Sequence, residues 1–281
     1  MEAAMYRRIA VHLDQGLDSS RRVEFSLQLA RAHDAHLTGI YASYVSPGYF
    51  YDEAGLWVRT MDMARRIDET GRTAAQLTFS QAARESGVAA SWRQGDDVPA
   101  ECVAKHARSS DILVISQENP DDVDAAVGNG FVEHVLMSAG RPVIVLPSAG
   151  TFKGVGARVL YCWNRSREAA RAIADAAPLL RNANALAVLT TDDVEPDRNL
   201  EVPFEDLAAY CACHGFPAPA HQSRSTQEID VGDAILSTAA DFNADLIVMG
   251  AYGHSRMRQW VMGGATRAML AAMTVPVLFS H

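Results

Sequence analysis

Short apolar runs alternate along the chain with longer stretches in which apolar residues recur every three or four positions. The runs Arg8-Ile-Ala-Val-His-Leu-Asp14 and Arg158-Val-Leu-Tyr-Cys-Trp-Asn164 each end in a small polar residue. Unbroken rather than alternating apolarity suits strands buried on both faces of a parallel sheet. Helical spacing follows each run, through Val23, Leu27 and Ala30 in Ser19–Ala35 and through Ala169, Ile173 and Ala177 in Ser166–Asn182. Second strands are predicted at His36–Ser43 and Ala185–Thr191. In the first half a long helix is predicted over Trp57–Ser86, a strand over Ala89–Arg93, a helix over Pro99–Arg108 and a strand over Asp111–Ser116. The second half predicts helices over Phe204–Cys213 and Val231–Phe242, a strand over Asp245–Gly250, a helix over Thr266–Met273 and a closing strand over Val275–Ser280. Strands alternating with helices in this way predict an α/β fold with a mostly parallel, doubly wound sheet in each half.

The two halves are copies. A shift of 134 positions lays Ser110-Asp-Ile-Leu-Val-Ile-Ser116 on Ala244-Asp-Leu-Ile-Val-Met-Gly250, and in the same register Val127 falls on Val261, Gly130 on Gly264 and Leu136 on Leu270. Similarity held through two strands, a loop and a helix is a repeat rather than a coincidence of apolar residues. The turn-rich segment Pro147–Gly156 joins the copies, which places domains at residues 1–150 and 151–281.

Composition narrows the function. Acidic residues number 34 against 25 basic, a formal charge of −9. That balance argues against broad nucleic-acid binding, which needs clustered Lys and Arg. No apolar run approaches the ~20 residues of a membrane span, and Met1–Arg8 leads into a strand with no signal-peptide core. A cytoplasmic protein with neither nucleic acid nor membrane as partner is expected. The four cysteines are too few for a disulfide framework. Cys211-Ala-Cys213-His214 lacks a second ligand cluster, so no metal site is expected.

The chemistry lies in Gly250-Ala-Tyr-Gly253-His-Ser-Arg-Met-Arg-Gln-Trp-Val-Met-Gly263-Gly264-Ala265-Thr266, which follows a strand and opens a helix. Ligands of open α/β sheets sit beyond the carboxyl ends of strands. Gly250 and Gly253 permit positive φ and tight folding against a ligand. Gly263, Gly264 and Ala265 leave backbone N–H groups uncovered at a helix start, where the helix dipole favours an anion, and Thr266 adds a hydroxyl. His254 and Arg256 lie within reach of a bound phosphate. Together these residues describe a phosphate cradle.

The pattern Gly-x2-Gly-x9-Gly after Asp-Leu-Ile-Val-Met, with the closing Thr274-Val-Pro-Val-Leu, resembles the universal stress protein family, and the resemblance covers essentially the whole chain. It implies tandem domains, each an open parallel five-stranded sheet in order 3-2-1-4-5 with helices on both faces. It also implies bound ATP or AMP, with Mg²⁺ as a conceivable companion, and a stress-response or regulatory role. Carried over by position, Gly250, Gly253, Gly263 and Thr266 match the phosphate loop, whereas Gly264 replaces the usual hydroxyl residue. Asn164 stands where the family has Asp near adenine and ribose, and Thr190 stands where its backbone meets adenine. The resemblance further pairs the closing strands of two domains, here Val143–Leu146 and Val277–Ser280, as an internal pseudo-dimer; a homodimer is a further possibility.

The first half reverses this pattern. Asp14 is present, but Ser116, Asn119, Asn129 and Val132 occupy the loop positions, and Pro120-Asp121-Asp122-Val-Asp124 brings carboxylates where phosphates would lie. Like charges there oppose an anion; the acidic loop reads as solvated and this half as dead for ATP. His12, inside a core strand, reads as a buried hydrogen-bonded side chain. No nucleophile–base–orienter set or Walker loop is present, so no enzymatic activity beyond weak ATP hydrolysis is expected. The alternative from another class is a nucleotide-free interaction module whose glycine loop is purely structural.

Overall fold

The computed structural model describes residues 5–43, 57–95, 98–119, 121–122, 127, 129–152, 154–192, 203–252 and 264–281. Tyr6–Gly140 forms one compact unit and Arg141–His281 the other. The first contains β1 (Arg8–Leu13), α1 (Ser19–His33), β2 (His36–Tyr41), α2 (Trp57–Glu85), β3 (Ala90–Gln94), α3 (Pro99–Ala107), β4 (Ile112–Ser116) and α4 (Phe131–Ser138). The second contains β5 (Val143–Leu146), β6 (Arg158–Cys162), α5 (Arg167–Asp175), α6 (Ala177–Leu180), β7 (Ala185–Thr191) and α7 (Phe204–His214), followed by β8 (Pro219–Arg224), α8 (Val231–Phe242), β9 (Leu246–Gly250), α9 (Gly264–Ala272) and β10 (Val277–Ser280).

In the first unit the strands lie in the order β3-β2-β1-β4, all parallel. In the second the order is β5-β10-β9-β6-β7-β8, parallel except for β5, which runs antiparallel to β10 with Val145 opposite Val277. Counted within the second repeat, this is the 3-2-1-4-5 order. The 134-position register survives in three dimensions, since β4 maps onto β9 and β5 onto β10 residue for residue. β4 and β5 are buried along their whole lengths, as strands covered on both faces must be. In the first unit α1 packs with α2, and α3 with α4.

Each Asp that opens the repeated strand motif is a clamp. The Asp111 carboxylate accepts the N–H groups of Arg7 and Arg8 (2.7 and 2.9 Å), and Asp245 accepts those of Gly156, Ala157 and Arg158 (2.9, 3.0 and 3.1 Å). Backbone donors at the start of β1 and β6 are thereby satisfied.

Three departures from the predicted elements have local causes. The helix expected to Ala35 ends at His33, because Asp34 turns left-handed (φ 49°) and its N–H meets the carbonyls of Ala30 and Arg31. The helix expected over Ser166–Asn182 breaks at Ala176 into α5 and α6, just before Pro178, which supplies no N–H to continue the ladder. β8 has no apolar run, Pro-Ala-His-Gln-Ser-Arg, since it is half-exposed along its length and borders only β7. No helix among the described residues is long and apolar enough to cross a membrane.

Candidate functional site

In the second repeat the carboxyl ends of β6, β7 and β9 converge with the start of α9. Beyond β6 the Asn164 side-chain oxygen accepts the Ser166 N–H (3.2 Å), and Ser166 caps α5 by accepting from Ala169 N (3.1 Å). This turn holds Asn164 on the wall of a cavity of about 80 Å³, which Cys162, Trp163, Thr191, Gly250 and Ala265 also line. Three predicted site residues, Asn164, Gly250 and Ala265, therefore meet at one place. Thr190 points elsewhere, its hydroxyl 3.0 Å from His221 Nε2; strand alternation turns Thr191 to the cavity instead.

Gly250 is glycine for a reason the sequence did not show. Its φ is not positive, and the residue that turns left-handed is Tyr252 (φ 65°). A Cβ at Gly250 would stand 2.6 Å from Ala169 N and 2.7 Å from Glu168 C. The glycine lets the first turn of α5 press against β9. Burial raises the Cys162 thiol to about 12, so it is a neutral wall rather than a nucleophile.

At the start of α9, Gly264 is exposed and a Cβ there would meet nothing within 4 Å. Thr266 is buried, and its hydroxyl oxygen accepts from Tyr252 N at 3.5 Å, joining the two ends of the loop. Gly253, His254, Arg256 and Gly263 lie outside the described residues.

The corresponding place in the first repeat is built from charge. A shift of 150 positions carries His12 and Asp14 onto Cys162 and Asn164. Arg22 is only 3% exposed. Its guanidinium donates to the His12 carbonyl (2.8 Å), to Ser116 Oγ (3.1 Å) and to Asp14 Oδ1 (2.5 Å). Burial pushes the Asp14 carboxyl up, but Arg22 and His12 bring it below its ordinary value. His12 is buried as expected, its Nε2 3.0 Å from the Ala42 carbonyl, and burial lowers the ring to about 4. Arg22 escaped the sequence reading because Val23, Leu27 and Ala30 define the apolar stripe. The adjacent stripe, Arg22, Ser26, Leu29 and His33, is buried as well.

The acidic loop also differs from its solvated reading. Asp122 is buried and accepts the Leu17 N–H at 2.8 Å, whereas Asp121 is exposed; Pro120 and Asp124 lie outside the described residues. Glu118 accepts the Val132 N–H at 3.3 Å at the start of α4, and burial followed by Glu133 raises its carboxyl. A carboxylate of the chain itself thus meets this helix end, whereas at the matching place of the second repeat Gly264 is exposed among the described residues. His12, Asp14, Arg22, Ser116, Glu118 and Phe131 all line a cavity of about 230 Å³.

Cys211 is buried and Cys213 exposed on α7, while His214 stacks between Tyr210 and Phe216. Among the described residues, no group of three or more His, Cys, Asp and Glu side chains is arranged to hold a metal ion.

The sequence model of the universal stress protein family matches residues 5–147 and 157–281. The crystal structure of a universal stress protein from Archaeoglobus fulgidus DSM 4304 superposes with a TM-score of 0.70 at 16% identity, covering 97% of this chain and 97% of that one. A functionally unknown protein from Pseudomonas aeruginosa PAO1 superposes with a TM-score of 0.59 at 16% identity, covering 98% of this chain and 92% of the other. At that identity the likeness is one of fold. Among curated protein sequences none matches this chain.

Proposed function

Because the chain belongs to the universal stress protein family, we propose that its second repeat binds an adenine nucleotide, ATP or AMP, in a cytoplasmic stress-response role. One observation carries the reading. Asn164, Gly250 and Ala265, far apart in sequence, line a single cavity at the carboxyl ends of parallel strands, where open α/β sheets take their ligands. The base and ribose lie toward Asn164 and Trp163, and the phosphates lie at the start of α9. There Gly264 leaves the helix N-terminus uncovered for an anion. Asn164 offers both an acceptor and amide donors to a base. Residues 253–263 complete the cradle in this reading, with Gly253 and Gly263 bringing backbone N–H groups close to the phosphates and His254 adding a donor. The first repeat takes no nucleotide, because Arg22 fills the base end and Glu118 already meets the start of α4. Nucleotide occupancy then alters which partners the chain engages.

Isothermal titration of the full chain with ATP and with AMP tests this. About one site per chain is expected from the single intact cradle, and replacing Gly253 with a bulky residue abolishes it. Two equivalent sites, or none with either nucleotide, overturn the reading; the latter would leave an interaction module with a structural glycine loop.

A further inference from the structure

We propose that Arg165 is a further binding residue of the second repeat, its guanidinium holding the phosphate next to the ribose. This rests on the nucleotide reading of that repeat and adds to it a residue outside the glycine loop.

Backbone strain marks the place. Among the described residues four other than glycine have positive φ: Asp34, Arg165, Asn243 and Tyr252. Asp34 and Asn243 close α1 and α8, where each N–H meets two helix carbonyls. Both are short polar residues that tolerate the left-handed region. Arg165 (φ 62°) and Tyr252 (φ 65°) are neither helix caps nor residues of that kind. They follow β6 and β9, the neighbouring strands whose ends form the cavity of about 80 Å³. Strain of this sort gathers where ligands bind.

The first repeat turns the same corner without it. Asp14 Oδ1 accepts the Gly16 N–H at 3.1 Å, as Asn164 Oδ1 accepts that of Ser166 at 3.2 Å, so Gln15 is the counterpart of Arg165. Gln15 is not left-handed, and its side chain donates to the Tyr41 hydroxyl at 3.1 Å. Arg165 is exposed and has no hydrogen bond, ion pair or ring contact among the described residues. Arg167, two residues on, is paired with Glu168 at 2.5 Å. At this φ an arginine is strained where glycine or asparagine is at ease, and among the described residues nothing in the fold uses its side chain.

Charge decides what that side chain meets. None of the residues lining the cavity carries a formal charge. Trp163 and Asn164 stand on its wall, and Arg165 is the next residue along the chain. A guanidinium presents parallel N–H donors that match phosphate oxygens. With base and ribose toward Trp163 and Asn164, the phosphate nearest Arg165 is the first, which AMP and ATP share.

The probes are AMP and ATP, titrated into the full chain by calorimetry, with adenosine read by displacement of the nucleotide. Arg165→Gly and Arg165→Asn each keep a residue suited to the turn and remove the cation. Nucleotide should bind these variants roughly tenfold more weakly, the equivalent of one charge-assisted hydrogen bond. Adenosine, which has no phosphate, should bind them as tightly as the parent protein, and Arg165→Gly should melt no lower than the parent. A parent protein that binds neither AMP nor ATP overturns the nucleotide reading and the role of Arg165 with it. A parent that binds nucleotide, beside variants that bind it equally well, overturns the role of Arg165 alone. Equal weakening of nucleotide and adenosine does the same, since Arg165 would then shape the turn rather than hold a phosphate. A lower melting midpoint in Arg165→Gly also overturns it, because the fold would already use the side chain.

Discussion

The two repeats share a backbone plan and have exchanged the chemistry at its functional end. Where the first places His12, Asp14 and Ser116, the second places Cys162, Asn164 and Gly250. Where the first lays Glu118 on the start of its α4, the second has Tyr252 at the matching position and an exposed Gly264 at the start of α9. One copy has filled its cleft with an internally compensated ion network. The other has been emptied to small neutral groups around a glycine-rich loop. A fold of this kind tolerates both, because the sheet and helix cores lie away from the strand ends that carry the difference.

The largest test breaks the network of the first repeat. Arg22→Ala strands Asp14 as a buried, unpaired carboxylate, and urea unfolding should register a loss of about 3–5 kcal/mol. Adding Asp14→Asn removes the stranded charge, leaving the amide that Asn164 supplies at the matching turn of the second repeat, and should restore most of that stability. If the single variant unfolds like the parent protein, the pair does not hold the first repeat together.

Next in size is acid sensitivity. His12 titrates at about 4 in the folded chain against 6.5 unperturbed. The unfolded chain therefore takes up the proton first. Stability present at neutral pH should fall as pH drops from about 6.5 through about 4, by on the order of 3 kcal/mol. The second repeat carries Cys162 there, a thiol protonated throughout that window. Unfolding measured across these pH values should lose most of its slope in His12→Gln, with buried His33 left to contribute in the same direction. An unchanged slope would assign the acid sensitivity to other groups.

The smallest effect concerns packing. Gly250→Ala forces a methyl group against the backbone of Glu168 and Ala169 and should cost about 1–3 kcal/mol. Thermal unfolding and ATP titration on the same variant would show whether shifting α5 also disturbs the cleft beside it. A cost-free Gly250→Ala would return Gly250 to the role of a ligand-facing glycine. Ser116, at the matching place in the first repeat, already carries a side chain and uses it on Arg22.

Much of this was legible in the chain. The apolar runs and the 134-position register located the strands that form each core, because burial on both faces imposes continuous apolarity whatever the neighbours are. Gly250 and Ala265 were readable from the loop between a strand end and a helix start, and Asn164 from the family resemblance; the structure sets all three on the wall of one cavity. β8 was not readable, as an edge strand needs little apolar surface. Arg22 was not readable either, as an arginine on an amphipathic helix ordinarily faces water.

The sequence by itself determined that there are two copies, what each strand is made of, and that only one copy keeps the glycine loop. Tertiary structure alone decided that Arg22 turns inward onto Asp14, that Glu118 meets the start of α4, and that α5 leaves no room for a Cβ at Gly250. The reason is physical. Periodicity reports how each residue relates to its own helix or strand, whereas a buried ion pair or a missing Cβ depends on what a distant segment brings within a few ångströms.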